Sequence, residues 1–151
     1  MATFQPGDPA YESRVRASFA RQSMMTVLGA SLERVAPGEV DIRLPFRADL
    51  TQQHGFLHAG VTTTIADSAC GYAALSLMPP GAAVLTVEFK VNLMAPAAGR
   101  VFVARGRVLK AGRTLTTCAG DVFAVDGGEE KHVLAMLGTI MTLQNRSGLT
   151  D

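Results

Sequence analysis

An α+β fold, in which a strongly curved antiparallel sheet of five to six strands is wrapped around one long central helix, is predicted by three features of the sequence. Residues 58–78 form a near-neutral apolar run, closed by Pro79-Pro80-Gly81, whose length favours a helix over a strand. From Leu85 to Met94 the period becomes two: Leu85, Val87, Phe89, Val91 and Leu93 alternate with Thr86, Glu88, Lys90, Asn92 and Met94. Three further runs, 100–110, 114–125 and 131–143, are divided by Ala111-Gly112 and Asp126-Gly127-Gly128, turns too short for a parallel crossover. A helix that is apolar almost all round must be enclosed, and a curved sheet is the available wrapper.

The elements follow in order. Between Pro9 and Gln22, Tyr11, Val15 and Phe19 recur every four positions among Arg14, Arg16 and Arg21, the pattern of an amphipathic helix for which Asp8-Pro9 is a suitable start. Two short alternating runs, Val27–Val35 and Val40–Phe46, flank the turn signal Pro37-Gly38 and predict a hairpin with Val40, Ile42, Leu44 and Phe46 on one face. A polar stretch, 47–53, leads to the long helix. The tail from Asn145 to Asp151 is expected to fray. Neither an internal repeat nor a second domain is visible, so residues 1–151 are expected to be a single domain.

Composition narrows the classes of function. The chain has 151 residues, 48% hydrophobic and 18% charged, which is too apolar for disorder and leaves apolar surface for a second subunit to cover. Lys+Arg 14 against Asp+Glu 13 gives no basic excess to drive binding to a nucleic acid or an anionic membrane surface. Cys70 and Cys118 have neither a CxxC spacing nor a nearby His pair, so they suggest no zinc site or disulfide framework and read as core residues of a protein in a reducing cytoplasm. The N-terminus has no basic n-region and no apolar h-region of a secretory signal. The stretch from Ala59 to Met78 carries Asp67 near its middle, which would cost about 2.5–3.5 kcal/mol on membrane insertion, so a buried soluble helix is expected instead.

Asp67 is the one formal charge between His58 and Met78, and a carboxylate in so apolar a helix is costly unless paired or used. At 100° per residue, Gly60, Thr63, Thr64, Asp67 and Gly71 form one stripe, and Val61, Ile65, Ala69 and Tyr72 another. The stripe is either a small polar channel serving a carboxylate base or nucleophile, or simply a solvated face. His58-Ala59-Gly60 stands at the expected helix start, where unpaired N–H groups and the helix dipole make an oxyanion site that small residues allow a carbonyl to approach. The plainer alternative is that His58 caps the helix. Gln52, Gln53 and His54, ahead of Gly55, offer groups for a water or a substrate carbonyl if they are not merely solvated. Thr86 and Glu88 lie on the polar face of the clearest strand, ordinarily its solvent side. Arg105, Arg107, Lys110 and Arg113 gather about one hairpin, as a phosphate site or a solvated turn.

Taken together, Gly55-Phe56-Leu57-His58-Ala59-Gly60, then Ala66-Asp67-Ser68-Ala69, then Thr86-Val87-Glu88-Phe89-Lys90-Val91-Asn92 leading to Ala95-Pro96-Ala97 resemble the hotdog-fold acyl-CoA thioesterases of the PaaI type. The resemblance runs over residues 15–143 and implies a hotdog sheet paired through its edges into dimers and commonly tetramers. It implies hydrolysis of a medium-chain or aryl acyl-CoA to CoA and free acid, with no cofactor beyond the coenzyme A of the substrate and no metal. The implied roles are catalytic for Asp67, Ala59, Gly60, His58, Gln52 and Thr86, and substrate-binding for Gln53, His54, Gly55, Phe56 and Arg113. The thioester carbonyl would take the Ala59 N–H, assisted by that of Gly60, and His58 would orient the thioester. Asp67 would come from the facing subunit as general base or as nucleophile giving a mixed anhydride, while Thr86 would help hold the water. On such a mechanism each oxyanion donor supplies about 2.7–4 kcal/mol and the base roughly 10²–10⁴-fold.

Two departures from the family pattern stand out. His-Gly-Gly becomes His58-Ala59-Gly60, which adds a methyl where the thioester approaches, and an Asn six residues before the His becomes Gln52. Two other functions fit the same fold: a module that binds acyl-CoA or another apolar ligand without turnover, and an enoyl-CoA hydratase. Phe46, Phe56, Leu57, Tyr72 and Met94 are available to line an apolar pocket.

Overall fold

The computed structural model describes residues 4–144 and 146–149. Helices α1 (Tyr11–Arg21) and α2 (Ser23–Leu28) precede strands β1 (Ser31–Ala36) and β2 (Glu39–Pro45). A short 3₁₀ turn (Ala48–Leu50) then leads to the long helix α3 (Ala59–Leu75). Strands β3 (Ala83–Leu93), β4 (Val101–Ala111), β5 (Leu115–Asp126) and β6 (Glu129–Leu143) complete the chain. The six strands form one antiparallel sheet in the order β1-β2-β4-β5-β6-β3, with α3 packed against it.

The core lies between α3 and the sheet. Ile65, Ala66, Ala69 and Ala73 on the helix meet Ile42, Leu44, Phe102, Val122 and Leu134 from the strands, all fully buried. Helix and sheet approach unusually closely where the strands carry glycine. A Cβ at Gly106 would lie 2.3 Å from the Ala69 carbonyl carbon and one at Gly120 2.9 Å from Cys70 Sγ, so these strand glycines let the helix backbone rest on the sheet.

The C-terminal end of α3 is pinned from two directions. The Arg14 guanidinium of α1 donates to the carbonyls of Leu75, Met78 and Pro79 at 2.9, 2.7 and 2.6 Å, satisfying acceptors that a helix end leaves open. Ser76 Oγ accepts from the Gly38 N–H at 2.7 Å and donates to the Ala73 carbonyl, tying the β1–β2 turn to the same end. Asp8 Oδ1 accepts from the Ala10 N–H at 2.8 Å just ahead of α1.

Several expectations are corrected by the tertiary structure. Residues 27–28, read as the start of a strand, end α2. Met25 and Leu28 bury themselves at helical spacing, Val27 stays 63% exposed, and Gly29 at φ 72° closes the helix. Phe46 lies beyond β2 and is exposed, so it does not share the face of Val40, Ile42 and Leu44. The long helix stops at Leu75, and Ser76–Met78 continue as a turn.

Strand β3 departs most from its simple alternation. Its register shifts between Thr86 and Glu88, making Val87 the extra residue of a β-bulge. Thr86 pairs with buried Ile140 on the helix side, whereas Glu88 pairs with Thr139 and accepts a hydrogen bond from its hydroxyl on the opposite face. The five apolar residues of the alternating run therefore do not share one face. Nor does β3 join β4: it pairs with β6, and residues 94–100 cross between them. In the tail, Arg146 and Leu149 form a small antiparallel bridge, while Asn145, Thr150 and Asp151 lie outside the described residues.

The close contact at Gly106 yields a direct test. Gly106→Ala drives a methyl into the Ala69 backbone, which cannot move aside as a flexible side-chain end would, and is expected to cost about 3 kcal/mol. Urea unfolding at fixed protein concentration checks this, and an unchanged midpoint would contradict the helix-on-sheet contact.

Candidate active site

The carboxylate that the sequence leaves unexplained has a specific environment. Asp67, half-buried in the middle of α3, accepts a hydrogen bond on Oδ1 from Thr86 Oγ1 at 2.8 Å. Burial pushes the Asp67 carboxyl above the ordinary carboxylate value, and the Thr86 hydroxyl, by bonding to the ionised form, pulls it back down. Because the bulge at Val87 turns Thr86 toward α3, the hydroxyl is aimed at the carboxylate rather than at solvent. The two residues share a pocket of about 540 Å³ with Ser18 and Arg21 of α1, Gln22 between α1 and α2, Ser68, Gly71 and Tyr72 of α3, and Val84 of β3.

The N-terminus of α3 forms a second, separate site. His58 is the N-cap residue, and its Nδ1 accepts from the Gly60 N–H at 2.9 Å, so a neutral His58 carries its proton on Nε2. The Gly60 donor is thus occupied by the cap, and an assisting role at an oxyanion would require that bond to open. The Ala59 N–H has no acceptor among the described residues. Ala59 lines a pocket of about 520 Å³ with Gln52, Phe56, Leu57, Leu93, Met94 and the crossing segment 95–97, a largely apolar wall.

The remaining predicted residues divide between these places and elsewhere. Gln52 folds its Oε1 onto the His54 N–H, and its own N–H donates to the Phe56 carbonyl at 2.9 Å, so it shapes the loop while lining the Ala59 pocket. Gln53 and His54 contact each other at the exposed loop tip, and Gly55 adopts φ 82°, which a turn there requires. Arg113 lines neither pocket. It borders a smaller cavity of about 190 Å³ with Ala74, Leu77 and Pro79, at the other end of α3. Arg105 is engaged by Glu130 and lies over the Phe123 ring, and Arg107 pairs with Asp121, so neither stands ready for a phosphate. Of the candidate apolar lining residues, Phe56, Leu57 and Met94 border the Ala59 pocket and Tyr72 the Asp67 pocket.

Cys70 and Cys118 are buried in the core, and burial raises both thiols, Cys118 to about 12, which excludes either as a thiolate nucleophile near neutral pH. The described residues contain no cluster of His, Cys, Asp and Glu that could hold a metal ion and no helix long and apolar enough to cross a membrane. Ser18 and Gln22 were not among the sequence candidates for the site. Only the packing of α1 across α3 brings them to Asp67, where Ser68 Oγ donates to Gln22 Oε1 at 3.4 Å.

A curved six-stranded sheet around one long helix, with a carboxylate inside it and an open N–H at the helix start, defines a hotdog-fold protein. A family model described as the thioesterase superfamily matches residues 54–131, and the chain belongs to that superfamily. Among solved structures, a thioesterase family protein from Silicibacter pomeroyi is 52% identical, with a TM-score of 0.88 over 89% of this chain and 99% of that one. The PaaI protein of the E. coli phenylacetic acid degradation operon shares the fold, at 20% identity and a TM-score of 0.79 over 93% of this chain and 95% of that one. Acyl-coenzyme A thioesterase 13 of Homo sapiens is 31% identical over 110 residues, 72% of this chain and 78% of that one. The chain spans 64% of the length of the archaeal relatives it matches, from Halobacterium salinarum and Saccharolobus solfataricus.

The Thr86 hydrogen bond makes a pH-dependent prediction. Removing a donor that favours the ionised carboxylate raises the Asp67 pKa further, so the acidic limb of a pH–rate profile that depends on ionised Asp67 moves to higher pH in Thr86→Val. At pH below that limb's midpoint kcat/KM is expected to fall about 10-fold, with recovery as pH rises. A uniform loss at every pH would assign Thr86 to some task other than tuning Asp67.

Proposed function

We propose that this protein is an acyl-CoA thioesterase that releases CoA and a free acid from a medium-chain or aryl acyl thioester, working in the cytoplasm. The observation that carries the proposal is the hydrogen-bonded, half-buried Asp67 on the same helix as an Ala59 N–H without an acceptor among the described residues, each opening into its own pocket. The helix N-terminus stabilises negative charge developing on the thioester oxygen. As a base Asp67 takes a proton from the water whose oxygen attacks the carbonyl carbon as the CoA thiolate leaves, and returns that proton to the thiolate. As a nucleophile its carboxylate displaces the thiolate to form a mixed anhydride, which water hydrolyses to the free acid, regenerating Asp67.

Helix geometry supports a site shared between subunits. Ala59 and Asp67 are eight residues apart on α3, which at 1.5 Å per residue separates them by about 12 Å along the axis, too far for both to reach one carbonyl. A second protomer, presenting its Asp67 to the Ala59 of the first, removes the difficulty. Strand β3 supports the same reading. It is a sheet edge with Leu85, Val87, Phe89 and Leu93 about half exposed, an apolar strand edge that proteins ordinarily cover. The reading is therefore an obligate homodimer, further paired into a tetramer.

Two experiments test this. Thiol release from short, medium, long and aryl acyl-CoAs is expected from the wild type, and Asp67→Asn is expected to lose 10²-fold or more at matched folding and assembly state. No release from any thioester despite measurable binding would favour a ligand-binding module, and water addition to an enoyl thioester with the thioester intact would favour a hydratase. Ala59→Pro removes the donor at the first helical position, where proline is tolerated and the extended His58 backbone suits it. Mixing it with Asp67→Asn by co-expression is expected to restore about a quarter of wild-type activity, since half the dimers are then mixed and each holds one complete site. No restoration in verified mixed dimers would refute a shared site.

A further inference from the structure

Glycines on the core side of the molecule are accounted for by packing, but Gly71 is not. At Gly106 and Gly120 an added Cβ would collide with α3, whereas a Cβ at Gly71 would meet nothing closer than Val84 Cγ2 at 4.0 Å, an ordinary contact. Its backbone is helical, so no left-handed conformation calls for glycine either. Glycine is the poorest helix former after proline, and the surrounding turns of α3 are rich in alanine. The helix therefore carries a weak residue where neither fold nor sheet contact requires it. Gly71 lies one turn beyond Asp67 on the same stripe, and both line the pocket of about 540 Å³.

We infer that Gly71 is a specificity-determining residue, leaving open the space that receives the acyl group beside Asp67. The inference rests on the thioesterase reading and adds the direction in which the acyl group runs: along α3 from Asp67 toward Gly71, against Val84 and Tyr72. Four residues of helix correspond to about 6 Å, so the groups served are those with bulk at about that distance from the reacting carbonyl, an aryl-acetyl ring or a chain of medium length. Val84 is the opposite wall and controls the same space.

The test is the ratio of kcat/KM for octanoyl-CoA and phenylacetyl-CoA to that for acetyl-CoA, measured in the wild type, Gly71→Ala, Val84→Leu and the double variant Gly71→Ala/Val84→Ala. Tm and assembly state are checked for each. Gly71→Ala is expected to have a Tm no lower than the wild type and ratios about 10-fold lower or more, the discrimination one methyl group gives in a tight pocket. Val84→Leu, which narrows the space from the other side and carries the test even if Gly71→Ala fails to fold, should lower the ratios in the same direction, and the double variant should recover part of the loss. Unchanged ratios in the folded variants would overturn the inference. So would an equal loss for all three thioesters, which would assign the space to the CoA arm they share. If the wild type releases no thiol from any of them, the thioesterase reading itself is what fails.

Discussion

The closeness of α3 to the sheet is the constraint on which the rest of this molecule depends. Ala66, Ala69 and Ala73 on the helix and Gly106 and Gly120 on the strands let the two backbones nearly touch, with the larger side chains filling the space to either side. A helix held this way has little freedom to turn or slide, because any displacement drives Cβ atoms into peptide groups. The two ends are fixed as well, by Arg14 across the C-terminal carbonyls and by the His58 cap at the N-terminus. A carboxylate in the middle of such a helix is placed rigidly, as acid–base or nucleophilic work requires.

Enclosure has an electrostatic consequence that the strand bulge offsets. Burial alone disfavours the charged form of Asp67, and a carboxyl kept neutral could neither accept a proton from water nor attack a carbonyl carbon. One inserted residue in β3 turns Thr86 to the helix side and gives Asp67 a hydrogen-bond donor that favours ionisation, in a pocket that Arg21 also lines. The same bulge breaks the apolar alternation of the strand, and several of its large side chains lie half exposed along the sheet edge.

How much of the candidate site could be read from the residues follows from the range of the interactions involved. Asp67 was conspicuous because a charge within an apolar helix is expensive wherever the helix lies. The significance of His58-Ala59-Gly60 was legible because helix starts leave N–H groups unpaired by simple geometry. Whether the Gly60 donor is free was not legible, since it depends on the rotamer of His58. The place of Thr86 depended on a register shift, and a period of two gives no warning of one. Ser18 and Gln22 reach the pocket through the crossing of α1 over α3, which joins residues some 45–50 positions apart in the chain.

By itself the sequence determined the kinds of element and most of their limits, because hydrophobic period, turn residues and helix-closing prolines act over a few neighbouring residues. It also determined that one carboxylate would lie on a buried helix and that the sheet would be antiparallel, from the shortness of its turns. Tertiary structure decided that residues 27–28 end a helix, since Met25 and Leu28 find the core only in that conformation. It decided that β3 lies beside β6, on the far edge of the sheet from β1, with several of its large side chains half exposed. These outcomes depend on which distant surfaces meet, and that is set by the shape of the whole core rather than by any local pattern.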